Sequence, residues 1–511
     1  MKEQRYSRRG FLRKAGVGVA GLVACNGMAG SAIRGAEKDV KPAPNSAAQP
    51  KPPNIVFILV DDLGWADTGV YGSKYYETPN IDRLAAEGMQ FTHAYAACAV
   101  CSPTRAAVMT GRYPARLGVT DWIRAQFQGA KIPEDRKNPT KYVGDTKKPL
   151  LCPPNALWME LDEVTIAEAL KCAGYTSCHI GKWHLGTEDW YPDKQGFDYN
   201  IGGCDFGQPP SYFDPYLNKH QGTIPTLKPR KRGEYLTDRE AYEAVQFIQK
   251  HQDKPFFLYL AHYAVHTPIQ AKQDLTNKYK KKATTTRQKN PVYAAMVESV
   301  DQAVGRICET LDELKLAEDT IIFFTSDNGG LLPVTHNAPL RSGKGFPYEG
   351  GIREPLIIRW PGKVKAGSRS DEPVTSVDYL PTICEAAGVP LPRDRDVDGV
   401  SILDHLRTGG KKGIDRDAIY WHFPHYRGSV VPYSIIRSGP WKLIKRYEGK
   451  TYELFDLQRN LSEENDLSKE MPEKVKELDT KLVKWLKSVG AKMPKPNPAY
   501  QPEKKADKTD T

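Results

Sequence analysis

Methionine and cysteine are scarce in this chain of 511 residues, at 8 and 9. Nine cysteines are too few for a disulfide scaffold, and an odd number leaves at least one thiol unpaired within a single chain. No internal repeat is found, which argues against an array of stacked units. Disorder of the chain as a whole is excluded as well, because 40% apolar and 10% aromatic residues supply ample material for a buried core. What is abundant is positive charge: 73 Lys and Arg against 62 Asp and Glu give a net charge of +11. That total alone does not separate affinity for nucleic acid, for a membrane surface or for an acidic polymer.

Much of the charge sits at the N-terminus. Ser7-Arg8-Arg9-Gly10-Phe11-Leu12 precedes an uncharged Gly/Ala/Val-rich stretch that ends near Ala32, and together they resemble a bacterial twin-arginine export signal over residues 1–36. A membrane helix would need about 20 strongly apolar residues, and this run is diluted by Gly and Ala. Leu22-Val23-Ala24-Cys25 resembles a lipobox, so Cys25 is a candidate lipid anchor, with cleavage near Ala32 or Ala36 as the alternative. The expected location is outside the cytoplasm, periplasmic or on the cell surface as a lipoprotein, reached through the twin-arginine export machinery. Residues 1–36 carry a net +6, so their removal leaves about +5. No nucleic-acid partner is expected. Residues 37–53, with several Pro, Ala and Lys, read as a linker.

Asn54 to Val60 is a continuous apolar, β-branched run, the pattern of a strand covered on both faces of a parallel sheet. Similar runs occupy residues 175–180, 256–260, 320–325 and 355–360. Between them lie segments of helical period: 78–87 closed by Gly88, 165–172 closed by Gly174, and 291–316 opening on a proline. Strands alternating with helices predict an α/β fold with a large, mostly parallel but mixed central sheet flanked by helices, over residues 54–414. Beyond residue 415 the pattern shortens to strands at 433–437, 441–447 and 452–457, with an amphipathic helix at 472–489. This predicts a smaller C-terminal domain over 415–490, an antiparallel sheet with one helix. Residues 491–511, rich in Lys, Pro and Asp, are expected to be disordered.

Chemistry gathers at the carboxyl ends of strands in open α/β sheets. The first four apolar runs end, in turn, in Asp61-Asp62, in Lys182 and His184, in His262 and His266, and in Asp327-Asn328. Convergence of Asp61, Asp62, Asp327 and Asn328 would make an oxygen-rich site for a hard cation such as Ca²⁺ or Mg²⁺. Lysines and histidines around such a cation suit an anionic substrate. Singly, each element is ordinary: an Asp pair after a strand is commonly a turn or a cap.

Cys101-Ser102-Pro103-Thr104-Arg105 reads as the start of a helix, with Ser102 or Cys101 as its cap and Arg105 one turn on from Cys101. A cysteine there sits in positive potential, where a reactive group or an anion is stabilised. This Cys-x-Pro-x-Arg core, followed by Gly111-Arg112, resembles the signature of the type I sulfatases of the alkaline phosphatase superfamily. Further elements in the same order strengthen the resemblance: Val60-Asp61-Asp62-Leu63-Gly64, Thr78-Pro79-Asn80-Ile81-Asp82, Gly181-Lys182-Trp183-His184, Val265-His266-Thr267-Pro268, Ser326-Asp327-Asn328-Gly329, Gly343-Lys344-Gly345, and Glu349-Gly350-Gly351-Ile352-Arg353-Glu354-Pro355. It spans roughly residues 52–460.

The resemblance implies a sulfuric ester hydrolase acting on sulfate esters of poly- or oligosaccharides, with Cys101 oxidised to Cα-formylglycine by a formylglycine-generating maturation enzyme. It implies Asp61, Asp62, Asp327 and Asn328, with residue 101, as ligands of one Ca²⁺ per chain, Mg²⁺ being second choice. Attack on sulfur by the hydrated aldehyde at residue 101 would be supported by Arg105. Lys182 and Lys344 would bind sulfate oxygens, Lys344 and His266 would protonate the departing oxygen, and His184 would take the proton that expels sulfate. Two alternatives differ in class: a phosphomonoesterase or phosphodiesterase of the same superfamily, and a glycan-binding protein without catalysis. The basic clusters 228–232 and 278–282 read as solvated faces or as attractants for a sulfated polymer. Trp421, in the segment with His422, His425 and Tyr426, reads as either a sugar-facing wall or a strand packed on the core. Cys98 reads as a buried free thiol.

Overall fold

The computed structural model describes residues 52–284 and 287–502. The expected export signal, Cys25 and all but the end of the expected linker therefore lie outside the described residues. No helix among the described residues is long and apolar enough to cross a membrane.

Among the described residues the largest sheet has nine strands. Eight of them lie in the order 368–370, 89–95, 353–359, 320–326, 54–60, 256–261, 176–181 and 199–201, and a short strand at 374–375 also pairs with 89–95. Asn54–Val60 is buried along its whole length. Two parallel partners flank it, so that Val60 faces Ser326 on one side and Leu59 faces Ala261 on the other. Alternate side chains leave the strand on opposite faces. Val56, Ile58 and Val60 join the core beneath the long helix Pro291–Glu313, while Ile55, Phe57 and Leu59 join the core that includes Ile166–Lys171 and Tyr379–Ala386. Each such fully buried side chain contributes about 1.5–3 kcal/mol.

The strands at 320–326, 54–60, 256–261, 176–181 and 199–201 run parallel, so their carboxyl ends share one edge. Arg353–Arg359 is antiparallel to both of its neighbours, Thr320–Ser326 and Met89–Tyr95. Met89–Tyr95 interrupts its apolar residues with Gln90, Thr92 and His93, so it lacks the continuous run that marks the central strands.

The C-terminal sheet has four antiparallel strands: Ile419–Phe423, Tyr433–Ser438, Trp441–Arg446 and Tyr452–Asp456. Leu478, Leu482, Trp485 and Leu486 form the buried stripe of its covering helix, Pro472–Ser488. Trp485 stacks on Tyr420, with ring centroids 4.7 Å apart and planes at 6°. The strand Ile419–Phe423 decides between the two readings of its aromatic residues. Trp421 packs against Tyr95 and donates from Nε1 to the Ala96 carbonyl at 2.7 Å, so it seals the junction with the main core and is no sugar-facing wall. His422 and His425 are buried with it.

Residues 491–502 depart from the expectation of disorder. Lys495–Pro496 pairs antiparallel with Leu150–Leu151, and the Asn497 side-chain amide donates to the carbonyls of Asp145 and Lys148, each at 2.8 Å. Bulk composition signals solvation here, whereas a single amide bridging two carbonyls supplies the anchor.

Candidate active site

The four strand ends named from the sequence do converge. Asp61 is fixed through its backbone, donating to the Ala264 carbonyl at 2.9 Å and accepting from the Val265 amide at 2.7 Å. The Asp62 amide donates to Asp327 Oδ1 at 3.2 Å, and Asn328 Nδ2 donates to Asp62 Oδ1 at 2.7 Å. Asp62 sits at φ 61°, a left-handed conformation that costs a non-glycine residue about 1–3 kcal/mol and that surrounding structure must enforce. All four side chains are buried.

Burial first, and then the adjacent Asp327 charge, push the Asp61 carboxyl well above its usual range even with Lys182 beside it. Burial also works against the Asp62 carboxylate, but Lys344, His266 and Lys182 outweigh it and hold the group below the usual range. Three crowded carboxylates therefore coexist only with cations around them. Lys182 Nζ lies 2.5 Å from Asp61 Oδ2, and Lys344 Nζ lies 2.6 and 2.8 Å from the two Asp62 oxygens. Arg105 donates from Nε to Asp327 Oδ2 and from Nη1 to the Lys182 carbonyl, both at 2.8 Å.

Two buried oxygens of this cluster, Asp61 Oδ1 and Asn328 Oδ1, have no hydrogen-bond partner. Unpartnered hard oxygens among carboxylates fit a divalent cation of the Ca²⁺ or Mg²⁺ type. Asp61, Asp62 and His266 bring ligand atoms within 4.8 Å of one another.

Cys101 opens the helix Cys101–Thr110, buried throughout. The expected caps lie inside its first turn: Val100 is the N-cap position and offers no side-chain bond. Tertiary partners occupy Ser102 instead, its hydroxyl donating to the His184 carbonyl and accepting from the Ile123 amide, each at 3.0 Å. Cys101 Sγ lies 3.4 Å from His184 Nδ1. His184 Nε2 lies 2.7 Å from the Ile123 carbonyl, which only accepts, so Nε2 carries the proton. Burial, then Lys182 and Arg105, hold this imidazole well below its usual pKa. It is therefore neutral, with a bare Nδ1 aimed at residue 101. Gly207 is required against the ring, since a Cβ there would come within 2.7 Å of it.

A cavity of about 220 Å³ opens on this group. Cys101, His184, His266 and Lys344 line it, as do Trp122, Gln128, Gln208 and Arg427, which the sequence reading did not single out. Trp122, Gln208 and Arg427 sit in turns and loops and Gln128 ends the short 3₁₀ helix Gln126–Gln128, none of them in a periodic pattern or a signature motif. Arg105 and Lys182 stand behind the carboxylates and do not line the cavity. His266 lies 3.6 Å from Asp62 Oδ2 through Nε2. His262 turns away to Glu240, 2.6 Å from its Oε2, and takes no part. Cys98 is a buried free thiol whose pKa burial pushes up to about 12. The basic clusters are partly committed to neighbours: Lys278 pairs with Glu77 and Glu298, and Arg230 pairs with Glu234 and lies over the Tyr242 ring. A larger cavity of about 770 Å³, at the junction with the C-terminal sheet near Trp65, Arg353 and Arg437, holds none of the expected site residues.

The chain is similar to known proteins over most of its length. A family model described as Sulfatase matches residues 53–389, and one described as N-sulphoglucosamine sulphohydrolase, C-terminal, matches residues 342–492. A protein named Sulfatase from Formosa agariphila is 33% identical, covering 85% of this chain and 88% of its own length. The N-acetylgalactosamine-6-sulfatase of Homo sapiens is 36% identical, covering 76% of this chain and 70% of its own. Among solved structures, Ps i-CgsB in complex with k-i-k-neocarrahexaose aligns with a TM-score of 0.72 and 33% identity, over 85% of this chain and 93% of that one.

Proposed function

The chain belongs to the sulfatase family and is a sulfuric ester hydrolase, and from that premise we propose that it removes O-sulfate groups from poly- or oligosaccharides at the cavity beside Cys101. One observation carries this reading: Cys101 heads a buried helix with its Sγ 3.4 Å from the bare Nδ1 of a neutral His184, in a cavity that Lys344 and His266 also line. The carbohydrate assignment rests on the similarity to the N-acetylgalactosamine-6-sulfatase and to the carrageenan-oligosaccharide complex.

Overall, the ester and one water give an alcohol and inorganic sulfate. Asp61, Asp62, Asp327 and Asn328 would hold one Ca²⁺, and Cys101 would be matured to Cα-formylglycine. Together these would supply a Lewis acid for the sulfate oxygens and an oxygen nucleophile that a thiol cannot provide. The remaining work falls to the chain's own side chains. Lys344 faces the cavity with its ammonium held on Asp62; burial opposes its charge, but Asp62 and the other nearby acidic groups outweigh that and raise its pKa, so it carries a proton for the departing alcohol oxygen. His266 stands beside it and positions the same oxygen. His184 takes up a proton at Nδ1 from the oxygen on residue 101, and its Nε2–H contact with Ile123 keeps the ring oriented for it. Arg105 and Lys182 hold the Asp327 and Asp61 carboxylates in register.

Export through the twin-arginine route, with or without a lipid at Cys25, is proposed from residues 1–36 alone. The catalytic proposal is tested by assaying matured enzyme on a panel of sulfated mono- and oligosaccharides beside an aryl sulfate and an aryl phosphate. Sulfate release from saccharides with weak phosphatase activity is expected. Efficient phosphate release with no sulfate release would assign the cavity to phosphoester chemistry.

A further inference from the structure

The cavity holds one cation that the catalytic account leaves unused. Arg427 lines it together with Cys101, yet comes from the C-terminal sheet, on the turn between Ile419–Phe423 and Tyr433–Ser438. That turn is closed by reciprocal backbone bonds, Arg427 N–H to the Val430 carbonyl at 3.0 Å and Val430 N–H to the Arg427 carbonyl at 2.9 Å. The side chain lies across Gly345, the residue after Lys344. A Cβ at position 345 would come 2.7 Å from Arg427 Nε and 3.0 Å from Cδ, and φ there is +87°, so glycine both suits the backbone and leaves room for the Arg427 side chain.

The other cations of the centre are already committed. Arg105 is paired with Asp327, Lys182 with Asp61 and Lys344 with Asp62. Among the described residues Arg427 makes no ion pair within 4.0 Å and no side-chain hydrogen bond. Its charge acts on the Asp121 carboxylate, but the two form no ion pair. A planar fork of donors without a carboxylate partner, at the wall of a cavity that takes an anionic ester, matches an oxyanion. Trp122 supplies an aromatic face to the same cavity, and Gln128 and Gln208 supply amides, a lining suited to a sugar ring and its hydroxyls.

We propose that Arg427 binds a second oxyanion of the substrate, a sulfate or a carboxylate on the saccharide that bears the scissile ester, so that the preferred substrates carry at least two negative charges. The inference rests on the reading of this cavity as the place where sulfate esters are hydrolysed. It also gives the C-terminal sheet a part in selectivity beyond covering the main core.

The test compares kcat/KM of the matured full chain on three disaccharides: one with two sulfates, one with a sulfate and a uronate carboxylate, and one with a single sulfate and no other charge. Wild-type enzyme is expected to favour at least one doubly charged substrate by about tenfold, the scale of one charge-assisted hydrogen bond. Arg427→Gln should remove that preference mainly through KM, and Arg427→Lys should restore part of it. The doubly charged substrate that loses most identifies whether sulfate or carboxylate is bound. Equal effects of Arg427→Gln on all three substrates, or no preference in the wild type, would overturn the inference and leave the sulfatase reading standing. Failure of wild-type enzyme to hydrolyse any of the three would overturn the reading of the cavity itself, and this inference with it.

Discussion

Arg105 Nε and Nη2 both lie 2.8 Å from one oxygen of Asp327, Oδ2, and both residues are almost wholly buried. This pair ties the helix that carries Cys101 to the end of the strand Thr320–Ser326, and Nη1 reaches on to the Lys182 carbonyl. Replacing Arg105 by Ala would leave a buried carboxylate without its counter-charge. A loss of about 3–5 kcal/mol in urea unfolding is expected, with Arg105→Lys intermediate because it keeps the charge but not the fork. Wild-type stability in Arg105→Ala would remove the pair from the account.

The carboxylate cluster predicts that Ca²⁺ stabilises the protein whether or not Cys101 is matured. A ligand that binds only the folded chain adds about 2.7 kcal/mol at a hundred times its Kd. Chelator-treated protein should therefore show a higher thermal midpoint on Ca²⁺ addition, and Asp62→Asn should blunt the shift. An unchanged midpoint at millimolar Ca²⁺ would count against the assigned ligands.

The central strands were legible because apolar β-branched runs such as Asn54–Val60 are buried on both faces, a condition that leaves no other pattern open to them. The site was legible for the same reason: Asp61, Lys182, His266 and Asp327 follow the ends of neighbouring parallel strands. The antiparallel course of Arg353–Arg359 was not, since a buried run reads alike in either direction. Nor was the division of labour among the cations. Lys182 follows its strand as expected, yet its ammonium lies on Asp61 and away from the cavity, a consequence of three carboxylates meeting in the interior. Arg427 stands far along the chain, in a turn whose only signal is its arrival beside Gly345 in three dimensions.

His422 links stability to acid. It is buried, with Nδ1 2.7 Å from Ser434 Oγ and Nε2 3.1 Å from the Lys492 carbonyl, and burial lowers its pKa from 6.5 to about 4. A depressed imidazole is held neutral in the fold, so its contribution is present above pH 6.5 and is lost as pH falls towards 4. The loss in that window is about 1.4 kcal/mol per pH unit. Urea unfolding of His422→Gln should show a shallower decline than wild type between pH 6 and 4.5, by roughly one proton's slope. Parallel curves would place its titration elsewhere.

The most direct test of the central claim is sulfate release from an aryl sulfate by matured wild-type protein and by Cys101→Ala, purified alike and shown to have the same thermal midpoint. Wild-type protein should release sulfate, and Cys101→Ala should show none above the uncatalysed rate, because the reacting oxygen would be borne by residue 101. Undiminished turnover in Cys101→Ala would contradict the account.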